Sequence, residues 1–273
     1  MFLFQQLQLA GLNQKDIQSS PIVDIIQLEK KLLAENRLNA SISKNDIQNL
    51  LEILKTYPDE VKLLARSDFF YSLLSGQEPE RFSKFVVNTN AQVAKVKAFL
   101  YECFREDILD FFTKNASRNQ WGKLSVLFKY KRFLDERLIR QCTYKLEEKL
   151  HFATDMLEKQ LEEGELEKML PYLKNTQFYD LLSTINFNYF DNLILDLIRD
   201  VERRQRSANT DFYSSVRTAA ISYKPSDSRF NPYVDKAPRY SSREVSYDSG
   251  LSPGRIIFLI IVVVRLLLWL SKG

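Results

Sequence analysis

The sequence predicts an all-α fold: an irregular helical bundle or a short array of helical hairpins, followed by a disordered stalk and one C-terminal transmembrane helix. Three observations carry this. Only seven glycines occur in 273 residues, against an average near 7 %, and four of the eight prolines lie after position 220. Leu, Ile and Phe recur every three or four residues through the first two hundred positions, and no stretch alternates with period two. From 256 to 270 every residue except Arg265 is large and apolar.

Residues 2–12 place apolar side chains among glutamines at helical spacing and read as a short helix or arm packed back on the body. Pro21 suits a first helical position after Ser19-Ser20, and Ile22, Ile25, Ile26, Leu28, Leu32 and Leu33 extend that helix to about Asn36. Ser43 is a natural N-cap for the next, which Pro58 ends. Residues 59–65 form another. Ser67 caps a short aromatic helix, 69–74, that Gly76 closes.

Two long stripes dominate the middle. Residues 91–113 carry Val93, Val96, Leu100, Phe104, Ile108 and Phe111, and residues 133–161 carry Leu138, Cys142, Leu146, Leu150, Ala153, Leu157 and Leu161. Each is an amphipathic helix with Lys and Glu opposite its apolar face. Residues 121–130 form a shorter apolar helix between them. Helices at 164–170, 178–183 and 189–204 complete a body spanning 1–204. An internal echo links Phe70-Tyr-Ser-Leu-Leu-Ser75 to Phe178-Tyr-Asp-Leu-Leu-Ser183. Stacked helix pairs would generate it, as would chance between two Leu/Phe-rich helices.

At 205–254 the composition shifts to Ser, Tyr, Arg, Asn and Pro. Such a stretch buries too little apolar surface to offset its ordering entropy, so a flexible linker is expected. Tyr213, Tyr223, Tyr233, Tyr240 and Tyr247 stand seven to ten residues apart within it, as sites for modification or as short docking motifs, or as plain solvated stalk. Residues 206–255 carry eight Lys/Arg against five acids, while the body is close to neutral. A neutral body argues against nucleic acid as the partner, since phosphate binding needs a concentrated basic face.

The run within 255–273 reads as a membrane anchor, with Ile256, Phe258, Ile261, Val264, Leu268 and Trp269 among its lipid-facing residues and Arg265 inside it. Fifteen residues of helix span roughly 22 Å, short of the ~30 Å hydrocarbon core. Arg265 costs about 2.5–3.5 kcal/mol at a bilayer centre, an amount that fourteen apolar neighbours outweigh. Its long stem can snorkel to the headgroups, and Trp269 suits the interface. Self-association of the anchor, or a partner's carboxylate, would shield Arg265 further. Residues 1–10 lack the basic start and apolar run of a signal peptide, so the body is expected in the cytoplasm at a single-pass membrane attachment. The alternative is a soluble helical protein whose apolar segment docks into its own groove or a partner's.

No chemistry is legible. His151 is the sole histidine and cannot build a His-based metal centre, and Cys103 and Cys142 lie on apolar stripes as buried free thiols. Seven scattered glycines make no phosphate loop. Acidic pairs such as Glu147-Glu148 read as solvated helix faces, because adjacent helical residues diverge by about 100°. Catalytic, cofactor-binding and metal residues are expected to be none. The function class that remains is a non-catalytic scaffold that binds a protein partner at a membrane surface.

Overall fold

The structure, a computed structural model, describes residues 2–19, 25–39, 42–79, 82, 85–87, 89–159, 161–208 and 211–225. Thirteen α-helices and two 3-10 turns make up these residues, with no strand among them. All fall in one unit covering 1–231. The anchor residues Ile256, Phe258, Ile261, Val264, Arg265, Leu268 and Trp269, the linker residues Tyr233, Tyr240 and Tyr247, and the Pro21 helix start lie outside the described residues.

Six helices form the N-terminal tier: α1 (Leu3–Leu9), α2 (Gln14–Ser19), α3 (Ile25–Asn39), α4 (Lys44–Thr56), α5 (Pro58–Ala65) and α6 (Asp68–Leu73). Their ends follow local chemistry. Ser43 closes a capping box with Asp46, each side chain bonding the other's backbone N–H (3.1 and 3.4 Å). Pro58 opens α5 at the position where its missing N–H is harmless. Ser67 accepts from the Phe70 N–H to start α6.

The central tier is α7 (Asn90–Ser117), α8 (Trp121–Lys129), a 3-10 turn at Lys131–Phe133 and α9 (Glu136–Glu158). The 91–113 helix is thus four residues longer at its C-terminus than its apolar stripe suggests. The next long helix begins three residues later than expected because Asp135 caps it, accepting from the Arg137 N–H at 2.9 Å. The C-terminal tier comprises α10 (Glu163–Met169), a 3-10 turn at Pro171–Lys174, α11 (Thr176–Ile185), α12 (Asp191–Ala208) and α13 (Asp211–Ala220).

Helix α13 moves a boundary. Composition places a flexible linker from 205, yet α12 continues to Ala208 and α13 packs on α12 and on the 171–174 turn. Tyr213 and Tyr223 are not linker residues but core, 6 % and 3 % exposed. Phe212, Val216, Ala219 and Ala220 are buried with them. The physical reason is a short apolar face, built partly of alanine, that finds a bed only in the folded body.

The core is unusually aromatic, and α8 sits at its centre. At the C-terminal end of α8, Tyr130 stacks on Phe69 at 4.8 Å and meets Phe70 at 5.2 Å. At its N-terminal end, the fully buried Trp121 meets Phe178 at 4.9 Å and Tyr172 at 6.1 Å. The two echoed segments therefore bracket one helix, each contributing its leading phenylalanine. Pairs of this kind add about 0.5–1.5 kcal/mol each beyond burial of their area.

Candidate functional site

The first feature that offers a ligand a place is a groove where α1, the turn after α6 and the C-terminal half of α7 meet. Its volume is about 440 Å³. The floor is apolar: Phe2, Leu73 and Phe111. Charged side chains, Glu78, Asp107, Asp110 and Lys114, form the rim.

Backbone geometry makes the groove. Helix α6 ends with Gln77 N–H bonding the Ser72 carbonyl (2.9 Å), and Gly76 takes the left-handed conformation at φ 73°. The Phe2 ring lies across Gly76 so closely that a Cβ there would stand 2.8 Å from Cδ2 of the ring. Helix α1 is held on α6 by Phe4 N–H to the Leu74 carbonyl (2.9 Å) and Gln8 Nε2 to the Tyr71 hydroxyl (2.7 Å). Phe4 and Tyr71 also meet ring to ring at 4.8 Å. Phe2 is thereby fixed as one wall while remaining 42 % exposed.

On the rim, Glu78 gathers three cations. Lys123 from α8 bonds one carboxylate oxygen; Lys114 and Arg118 from the end of α7 stand 3.0 and 3.8 Å from the other. Hydrogen bonds from Lys123 and Lys114 hold the Glu78 carboxyl well below the usual carboxylate range, at about 2. Across the groove, burial pushes the Asp107 carboxyl upward. The rim thus joins Glu78, held in ion pairs, to the α7 acids Asp107 and Asp110.

A second surface has a different make-up. The α11–α12 turn, with Asn188 left-handed at φ 70°, presents Phe187 (61 % exposed) and Tyr189. The Tyr189 hydroxyl donates to Glu147 on α9 at 2.7 Å, and His151 Nε2 lies 3.9 Å from the other Glu147 oxygen. His151 is exposed on this helix face.

Cys142 is buried and Cys103 half-buried; both are free thiols, raised to about 12 and about 11, chiefly by burial. A thiol so raised is a poor nucleophile near neutral pH. Among the described residues no group of three or more His, Cys, Asp or Glu is placed to hold a metal ion, and no helix is long and apolar enough to cross a membrane. Lys149 is half-buried: it lies 4.8 Å from the Tyr172 ring and 5.7 Å from Trp121, and burial lowers its pKa.

Of the sequence-predicted site residues, Tyr213 and Tyr223 are the described ones. Tyr213 is packed in α13, and Tyr223 donates to the buried Asp191 at 2.7 Å. Sequence places Phe111 on an apolar stripe and Gly76 at a helix end, but no local pattern joins them to Phe2 in one groove. No protein-family model matches the chain, no curated protein is significantly similar to it, and no solved structure matches its fold.

Proposed function

We propose that this protein is a non-catalytic helical adaptor, tethered to a membrane through residues 256–270 with its body in the cytoplasm, where it holds a protein partner. The observation that carries the reading is the density of the 256–270 run, fourteen apolar residues of fifteen. A transfer preference of that size makes lipid the favoured environment. The groove beside α7 supports the second half of the reading. It joins an apolar floor to a charged rim and is of a size that accepts one or two partner side chains. Holding a partner beside a membrane raises its local concentration, which is an adaptor's contribution.

Alkaline carbonate extraction of membranes tests the anchor. Full-length protein is expected to stay in the pellet and a chain ending at Gly250 to be released. Release of both would remove the membrane from the proposal. Arg265→Leu is expected to leave insertion intact and to reduce recovery of any membrane-embedded partner that pairs with this charge.

A second reading takes the 256–270 run as an assembly or autoinhibitory element of a soluble helical protein, docked in its own groove or a partner's. Full-length chain that stays dispersed without detergent, and is cut faster by protease after Phe2→Asp, would favour this docking over the anchor.

A further inference from the structure

The outward face of α9 has an internal symmetry that packing within the chain does not require. Its exposed positions include 137, 141, 144, 148, 151 and 155, alternating steps of four and three, so they form one stripe along the helix. Reflected about position 146, the stripe maps onto itself, and the chemistry of the matched positions is complementary. Arg137 falls opposite Asp155, Gln141 opposite His151, and Tyr144 opposite Glu148.

We propose that this face is where two copies of the chain pair, their α9 helices antiparallel about a two-fold axis at residue 146. A two-fold interface must be self-complementary, and each match is then made twice. The pairs are an ion pair, a ring-nitrogen to amide contact and a phenol to carboxylate bond. Antiparallel packing also sets opposing helix dipoles side by side. The surface is suited to a contact. Tyr144 is 60 % exposed and Phe152 42 %, large aromatic areas left to solvent at the middle and one end. Arg137 is already ordered, lying 3.8 Å over the Tyr101 ring and bonded to Asp135 at 2.9 Å. Asp155 and Glu148 carry no ion pair among the described residues. The matched stretch is ~27 Å long at about 1.5 Å per residue, a narrow contact of the weak, exchanging class rather than an obligate dimer.

Disulfide trapping on the full-length chain in mild detergent reads the register directly. In the proposed pair, positions 141 and 151 of opposite copies are neighbours, whereas each lies ~15 Å along the axis from its own counterpart. That separation exceeds the reach of a disulfide. Mixing Gln141→Cys chains with His151→Cys chains should therefore give cross-linked dimer, and either variant alone should give no more than the parent chain with its Cys103 and Cys142. Adding Asp155→Arg to both is expected to slow trapping by about tenfold, a loss of about 1.4 kcal/mol. Adding Arg137→Glu as well should restore it. Efficient trapping by one variant alone points to a parallel or unspecific pairing, and dimer formation indifferent to the 155 and 137 charges points to the 256–270 segment; either overturns the proposal. So does the absence of trapping in the mixture while circular dichroism shows the parent helix content.

Discussion

Among the described glycines, Gly76 is the one where an added methyl meets both a left-handed backbone and an occupied space. Its left-handed backbone would cost an L-residue about 1–2 kcal/mol, and the Phe2 ring occupies the space that a Cβ needs. Gly76→Ala is therefore expected to lower the unfolding midpoint by several degrees, at about 2–4 °C per kcal/mol for a body of this size. Combining it with Phe2→Ala removes the clash and leaves the backbone term, so the double variant should recover part of the loss. Equal midpoints for wild type and Gly76→Ala would exclude both the left-handed backbone and the overlying ring. Glu78 makes a prediction in pH. Its folded-state pKa is depressed to about 2, so its contribution is fully present above the ordinary carboxylate pKa of about 4.3 and disappears as pH falls through 2. Denaturation of wild type and Glu78→Gln should differ at pH 6 and converge near pH 2. The gap should shrink with salt, because the group and its cations face water. A gap that widens on acidification would reverse the sign and exclude the ion pairs as its cause.

Among the elements, α13 repays attention because its sequence conceals it. Removing the Tyr223 hydroxyl leaves the buried Asp191 one donor short, and Tyr223→Phe is expected to destabilise by about 1–3 kcal/mol. A chain ending at Ala208 should lose more, since it uncovers the bed that Phe212, Val216 and Tyr223 fill; one ending at Pro225 should unfold like the longer protein. If the 208 and 225 truncations melt alike, α13 is not part of the body. Long helices were legible in the sequence because a stripe such as Leu138-Cys142-Leu146-Leu150-Ala153-Leu157 repeats over about five turns, and few other folds satisfy that repeat. Caps at Ser43 and Ser67 were legible because capping is a local bond. Helix α13 was not, for opposite reasons. Ten residues give its stripe under three turns, alanines supply part of it, and serine and arginine dominate what a composition window sees. The groove was still less accessible. Phe2, Gly76 and Phe111 meet only through tertiary packing, and no local pattern joins positions so far apart.

At the scale of the whole molecule, aromatic residues define the interior of the described body. Trp121 is fully buried against Phe178 and Tyr172, and Trp121→Ala is expected to destabilise by about 3–5 kcal/mol, measured as a shift in denaturant midpoint at unchanged slope. The placement of that indole has an optical consequence. The chain holds two tryptophans, Trp121 in the helical core and Trp269 in the apolar run. Each half of the proposal thus comes with its own emitter. Brominated lipid, whose heavy atoms quench only rings within the acyl layer, should dim Trp269 and spare Trp121, while denaturant should redshift Trp121 first. With Trp269→Phe, the remaining emission becomes a clean gauge of core integrity, read without any label, in the same vesicles that hold the protein.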